Sequence, residues 1–339
     1  MRPISNPKNA YLSEHREWLG PPPAVEVRVY EESARSILSE NDSPDIPFRW
    51  SINPYRGCQH ACAYCYARPT HEYLGLGAGT DFDSRITVKT NAADVLAREL
   101  SRSSWRREPI VFSGVTDCYQ PLEAVYQVTR RCLEVCHDFR TPVGIVTKSY
   151  LVVRDVELLA RMAAASGARV YVSIAFADDA RARLIDRGAP PPSRRFEALK
   201  RLADAGVPVG VMVAPLIPGL NDRDVPAVLE QAAACGAQVA TYTAVRLPGT
   251  VREVFLERLR EALPDAAARV EARVRDMRGG RLNDSRFGCR MNGQGVYWES
   301  VARLFEVTAT RLGLNAGQRW RKASPAVRPA VRQLPLFEG

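Results

Sequence analysis

The run Gly57-Cys58-Gln59-His60-Ala61-Cys62-Ala63-Tyr64-Cys65-Tyr66 constrains this chain more than any other stretch of it. Three thiolates spaced C-x3-C-x2-C on one short loop can each hold one iron of a [4Fe–4S] cube. The loop supplies no fourth cysteine, so the fourth iron is left open to a small molecule. A structural zinc ion asks for four closed ligands, and here only His60 or His71 is at hand to complete a set.

The other cysteines, Cys118, Cys132, Cys136, Cys235 and Cys289, are scattered. Cys132 and Cys136 stand four apart in a helical pattern and read as small buried apolar residues. With 339 residues the chain can bury a full core, and at 46% hydrophobic and 25% charged its composition is that of a globular protein. It contains no apolar run of about 18 residues, so no membrane-spanning helix is expected. The first residues, Met1-Arg2-Pro3-Ile4-Ser5-Asn6-Pro7-Lys8, lack the apolar segment of an export signal, which makes the cytoplasm the expected location. In a long cytosolic chain, clustered cysteines read as metal ligands rather than disulfides. The 47 basic and 38 acidic residues leave a net charge of +9, which favours an anionic partner such as nucleic acid.

Residues 1–24 are Pro-rich and polar and read as an irregular arm. Val25 to Tyr30 alternates as a strand, and a short helix is expected from Ala34 to Leu38. The cysteine loop, at 53–68, follows an apolar strand near Trp50. Asn91 is placed to cap a helix from Ala92 to Leu100. Beyond it strands are expected at 110–113, 143–147, 170–174, 209–214 and 239–245, separated by helices at 124–138, 155–165, 193–205 and 225–235. Further helices fill about 250 to 315. Apolar runs alternating with helices predict a parallel sheet buried on both faces. The count is about six βα units, short of the eight of a closed barrel.

The wider run Asn53-Pro54-Tyr55-Arg56-Gly57-Cys58, continuing through Cys62, Tyr64, Cys65 and Tyr66 to Ala67-Arg68, resembles the radical S-adenosylmethionine (radical SAM) enzymes. Within them it is similar to the DNA-repair-photolyase-like branch related to spore photoproduct lyase. The resemblance implies a partial (β/α)6 barrel over 25–315, with an N-terminal arm and a C-terminal helical extension. It implies a [4Fe–4S] cluster on Cys58, Cys62 and Cys65, with S-adenosylmethionine chelated at the open iron. One electron, from a donor such as a flavodoxin or ferredoxin, would cleave the cofactor, and the resulting 5′-deoxyadenosyl radical would abstract hydrogen from a substrate.

Such a cofactor needs partners for its amine, carboxylate and adenine, and in a barrel these belong at the C-terminal ends of strands. Those ends are polar here. By charge, Asp117 suits the ammonium and Lys148 the carboxylate, while Thr116 and Ser173 add hydrogen bonds. Tyr64 is placed to meet the adenine. The resemblance implies cofactor roles at the same Thr116, Asp117, Lys148 and Ser173, and Arg194 or Arg195 is expected to add positive charge. Tyr66 matches a tyrosine of the lyase's hydrogen relay. The lyase's hydrogen-donating cysteine falls at Gly114, beside Val115, and Ala67 lacks a hydroxyl, so thymine-dimer reversal does not carry over. Tyr66 and Cys118 are therefore weak catalytic candidates, Cys118 because it is expected to point away.

The segment 316–339 is basic and Pro-rich and reads as a disordered tail. Its Gln333-Leu334-Pro335-Leu336-Phe337 resembles the short peptide that docks bacterial DNA enzymes on the sliding clamp, with Gln333, Leu334, Leu336 and Phe337 as contacts. The leading reading is a radical SAM enzyme acting on nucleic acid in a repair-like reaction. Two others stand beside it: the same chemistry on a protein or small molecule, and a non-catalytic, metal-stabilised nucleic-acid-binding module.

Overall fold

The structure, a computed structural model, describes residues 6–11 and 26–316. Most of the expected arm and nearly all of the expected tail, including Gln333, Leu334, Leu336 and Phe337, lie outside the described residues.

Among the described residues, ten strands make two sheets. In chain order they are β1 (Arg28–Glu32), β2 (Leu38–Glu40), β3 (Trp50–Ile52), β4 (Tyr55–Arg56), β5 (Arg85–Lys89), β6 (Ile110–Phe112), β7 (Val143–Thr147), β8 (Ala168–Ser173), β9 (Val209–Leu216) and β10 (Val239–Ala244). The large sheet runs β10-β9-β8-β7-β6-β3-β2. Six of its strands are parallel and β2 joins antiparallel at one edge. The edge strands β10 and β2 do not pair, so the sheet is open and the barrel is partial. The apolar runs that predicted burial on both faces sit there: every residue of β6 is buried, as are Val143, Gly144 and Ile145 of β7. Helices Val128–Asp138, Val156–Ala165, Pro192–Asp204 and Val225–Ala234 connect successive strands. Helices Val251–Ala262, Pro264–Asp276 and Val296–Arg311 follow β10, the last packing on Val225–Ala234.

The small sheet, β1-β5-β4, does one thing for the site. Strands β4 and β5 pair antiparallel, and the cysteine loop is the connection between them. Both ends of that loop are thereby pinned.

Three local expectations are corrected. Ala34–Leu38 is not helical. The Glu99 carboxylate accepts from the Ser36 hydroxyl at 2.6 Å and the Leu38 N–H at 3.0 Å, drawing the segment into extended chain that enters β2. Asn91 precedes its helix without capping it. Its side chain spans the gap to Ala34 instead, accepting from the Ala34 N–H at 2.8 Å and donating to the Ala34 carbonyl at 3.0 Å. The helix expected over 124–138 breaks at Gln127, whose φ is 50°. Glu123 then caps the second piece from outside, accepting from the Thr129 N–H at 2.9 Å and the Arg130 N–H at 3.2 Å.

Candidate cofactor site

The cysteine loop is built on close backbone approach and one buried cation. Gly57 has φ of 77°, and a Cβ there would stand 2.9 Å from each of His71, Ile86 and the Phe82 carbonyl. Glycine is the residue that fits, and its absence of a side chain lets Cys58 N–H donate to Phe82 O at 2.9 Å. Arg68, fully buried, donates to the Cys62 carbonyl from Nε at 3.0 Å and Nη2 at 2.9 Å. Its Nη1 donates to the carbonyls of Ala78 and Gly79, each at 2.9 Å, and Nη2 reaches Asp83 at 3.1 Å. On the opposite side Gly188 N–H donates to His60 O at 3.0 Å and Ala63 N–H to Ile185 O at 3.2 Å. Cys62 bridges Asp186 there.

Cys58 and Cys62 are buried, Cys65 is partly exposed, and none forms a disulfide. Burial pushes all three thiols up, Cys58 to about 12, and each must lose its proton to take a metal. The two histidines that might have completed a zinc set are engaged elsewhere. His60 Nδ1 lies 3.3 Å from Asp117 Oδ2, and His71 Nε2 lies 2.9 Å from the Arg85 carbonyl. Among the described residues no three His, Cys, Asp or Glu side chains converge on a single ion. A mononuclear site would need that convergence, whereas a cube takes each thiolate on a different iron. Three soft, free thiols on one pinned loop fit the [4Fe–4S] group and do not fit structural zinc.

The polar strand ends meet this loop. Beyond β6 the chain turns at Ser113, whose φ of 74° is unusual for a residue with a side chain. Thr116 is buried, and its hydroxyl donates to the Gly57 carbonyl at 2.7 Å while Gln120 Nε2 reaches both groups at 3.2 Å. Asp117 accepts from the Thr147 hydroxyl at 2.7 Å, the Lys148 N–H at 2.8 Å and the Tyr119 N–H at 2.9 Å. With His60 as fourth neighbour, the usual acceptor positions of a carboxylate are filled. Burial works against its charge, yet His60 and these donors hold Asp117 down at about 2. Asp117 is thus spent inside the protein, tying the β6 end to the β7 end, where the sequence pointed to a cofactor ammonium.

Lys148 leaves the end of β7 with its Nζ 5.6 Å from the centre of the Tyr64 ring. Burial opposes its charge, but Cys62 and Asp186 raise the ammonium above its ordinary value. Ser173, at the end of β8, donates to Ala214 O at 3.0 Å. Arg195 is buried, and its guanidinium is consumed by Pro190 O at 2.7 Å, Ser173 O at 3.1 Å and Asp186 Oδ2 at 3.0 Å. It neutralises Asp186 rather than adding free positive charge. Arg194 turns outward, pairs with Glu197 and stacks over Tyr150 at 3.8 Å.

Of the weak catalytic candidates, Tyr66 is at the mouth of the site, 47% exposed, with its hydroxyl donating to the Gly114 carbonyl. The Arg246 guanidinium lies 4.9 Å from its ring centre. Cys118, expected to point away, is fully buried in the main core, with its N–H on the Ser113 hydroxyl at 3.0 Å.

Asp186, Arg68, Gln120 and Gly188 were not singled out from the sequence. Arg68 ends the quoted motif, and its fixed place just beyond the last cysteine was a usable signal. Asp186 lies in Leu184-Ile185-Asp186-Arg187-Gly188 with no pattern around it. Only the burial of Arg195, which requires a counter-charge, leads to it.

Known proteins resemble the chain in sequence and in fold. The family model described as the Radical SAM superfamily matches residues 52–232. An uncharacterized protein of Mycobacterium tuberculosis is 41% identical over 246 residues, 72% of each chain. Another, of Methanocaldococcus jannaschii, is 32% identical over 196 residues, 58% of this chain and 70% of its own. Among solved structures, a tyrosine variant of spore photoproduct lyase superimposes with TM-score 0.56 at 18% identity, covering 89% of this chain and 85% of its own. The lyase complexed with dinucleoside spore photoproduct gives TM-score 0.53 at 18% identity, covering 84% and 78%. These last two matches speak to fold alone. Thiol loop, open parallel sheet and family match together make this chain a member of the radical SAM superfamily, and an enzyme.

Proposed function

We propose that the chain cleaves S-adenosylmethionine reductively at a [4Fe–4S] cluster held by Cys58, Cys62 and Cys65, and takes a hydrogen atom from a nucleic acid. The observation that carries the cofactor half is the loop itself: three free thiols, pinned on both sides, facing the polar ends of β6, β7 and β8. When bound, the reduced cluster supplies one electron to the sulfonium and so delivers a 5′-deoxyadenosyl radical, the electron coming from an external donor of the flavodoxin or ferredoxin kind. The protein's own part is to hold and orient. Arg68 and Gly188 fix the loop, Thr116 and Gln120 fasten it to the sheet, and Lys148 supplies the positive charge for a carboxylate.

The nucleic-acid half rests on the mouth of the site. Half-exposed Tyr66 lies under Arg246, while nearby Arg290 is held by Asp45. A ring and a guanidinium in that arrangement suit a stacked base with its phosphate. The net charge of +9 favours the same class, and a protein of like fold is seen with a dinucleoside photoproduct. The location consistent with this reading is the cytoplasm. Reconstituted protein should bind single-stranded oligonucleotide with affinity that falls steeply as salt rises, and the oligonucleotide should increase 5′-deoxyadenosine yield. Binding indifferent to salt, or yield unmoved by any nucleic acid, would turn the reading toward a protein or small-molecule substrate.

A further inference from the structure

A cleft of about 480 Å³ opens between the loop that leaves β9 and helices Pro264–Asp276 and Val296–Arg311. Three arginines line it, Arg223 from the loop and Arg269 and Arg273 from the first helix. All three are exposed, and among the described residues none of their guanidinium groups has an ion pair or a hydrogen bond. Where an acid is in reach it is used: Arg275 on the same helix and Arg260 on the one before pair with Glu271 at 2.8 and 3.1 Å.

The unpaired cations are held in place. A Cβ on Gly219 would stand 3.3 Å from Cγ of Arg273 and 3.7 Å from Cγ of Arg269, so both stems lie along the bare backbone of the β9 loop. The Arg273 guanidinium stacks on Tyr297, 4.0 Å from the ring centre, and the Tyr297 hydroxyl donates in turn to Asp222. Asp222 is the one acid in the lining among its named residues that bears a carboxylate facing the loop. It also accepts from the Gly219 N–H at 3.0 Å and the Arg223 N–H at 3.1 Å, and it pairs with none of the three guanidinium groups. Three positive charges against one negative leave the cleft positive.

Arg269 and Arg273 stand four apart on one helix face, where like charges repel unless an anion lies between them. Guanidinium groups match the oxygens of a phosphate in pairs. Strands β9 and β10 are parallel neighbours, so the β9 loop and Arg246, which follows β10, lie at the same end of the sheet.

We propose that Arg223, Arg269 and Arg273 form a phosphate-binding cleft apart from the cysteine loop, which takes the backbone of a nucleic-acid strand or the phosphate chain of a free nucleotide. The cleft stands on its own geometry and does not rest on the cofactor reading.

Reconstituted protein tests it with two probes: a short single-stranded oligonucleotide, followed by fluorescence anisotropy across a salt series, and ATP, followed by isothermal titration. The double variant Arg269→Gln/Arg273→Gln changes only exposed side chains and should melt like the wild type. If the ligand is a strand, this variant should bind oligonucleotide about tenfold more weakly or worse. Its slope of log affinity against log salt should fall by about 1.4, the loss of two single-strand phosphate contacts. If the ligand is a free nucleotide, ATP affinity should fall by a similar factor while oligonucleotide binding stays. Arg223→Gln should weaken the same probe several-fold. Arg98→Gln/Arg161→Gln, which removes two exposed charges from other helices, should leave both probes unaffected. Wild-type affinity for both probes in the cleft variant overturns the assignment, as does equal weakening in the Arg98/Arg161 variant, which would mean diffuse charge. Wild-type protein that binds neither probe overturns it too. Weakening by Arg246→Ala without any effect of the cleft variant would remove this site and leave the reading at the mouth standing.

Discussion

Arg68 donates twice to the carbonyl of Cys62, from Nε at 3.0 Å and from Nη2 at 2.9 Å, so a buried guanidinium grips the middle cysteine of the motif from behind. Arg68→Ala would leave the carbonyls of Cys62, Ala78 and Gly79 without these donors and the half-buried Asp83 without its partner. The expected cost is about 3–5 kcal/mol, the usual penalty for breaking a buried pair. Arg68→Lys should recover only part of it, since a point charge cannot replace a planar fork. Melting temperature and iron bound per chain check both variants.

Backbone approach makes a second, sharper contrast. Gly57→Ala combines a φ of 77° with three contacts at 2.9 Å, and Gly188→Ala puts a Cβ 2.1 Å from the Gln59 carbonyl. Each should destabilise by about 2 kcal/mol or more and impair iron loading. Gly114→Ala meets nothing nearer than the Asn53 amide at 3.7 Å and should melt within a degree or two of wild type. Thermal unfolding of the three variants side by side decides it.

Acid should release the clasp at Asp117. Its folded value of about 2 lies below the model-peptide value of 3.8. The stability it contributes is therefore complete above about pH 4 and is lost as pH falls through about 2. Urea unfolding of the metal-free protein at pH 5, 4 and 3 should show wild type losing about 1 kcal/mol more than Asp117→Asn over that range. Parallel pH dependence in the two proteins would mean that Asp117 is not held down.

At the mouth of the site, Arg246→Ala should weaken oligonucleotide binding several-fold. It should also lower the slope of log affinity against log salt by about one, as loss of one phosphate contact does. Fluorescence anisotropy across a salt series measures both. An unchanged slope would place the nucleic acid elsewhere.

How far the sequence led can be seen residue by residue. The parallel strands were legible because apolar runs such as Ile110-Val111-Phe112 and Val143-Gly144-Ile145 have no polar face to confuse them. The cysteine loop was legible because three thiols within eight residues must share one loop, and they do, free of disulfides. Ala34–Leu38 misled because its fate is decided by Glu99, about sixty residues later, and local propensity carries no word of that. Asp117 misled for a similar reason: charge suggested what it could bind, while only the fold shows that Thr147, Lys148 and Tyr119 already occupy it. Asp186 was silent because its meaning comes from the buried Arg195 guanidinium that it neutralises, and no motif joins the two.

The central claim is that the three thiols on this loop support reductive cleavage of S-adenosylmethionine. The direct measurement is 5′-deoxyadenosine formed by protein reconstituted without oxygen from iron and sulfide, then given S-adenosylmethionine and dithionite, with and without oligonucleotide. The account predicts product from the wild type and none from Cys62→Ala. Wild-type protein that carries a full complement of iron yet forms no 5′-deoxyadenosine under either condition would contradict it.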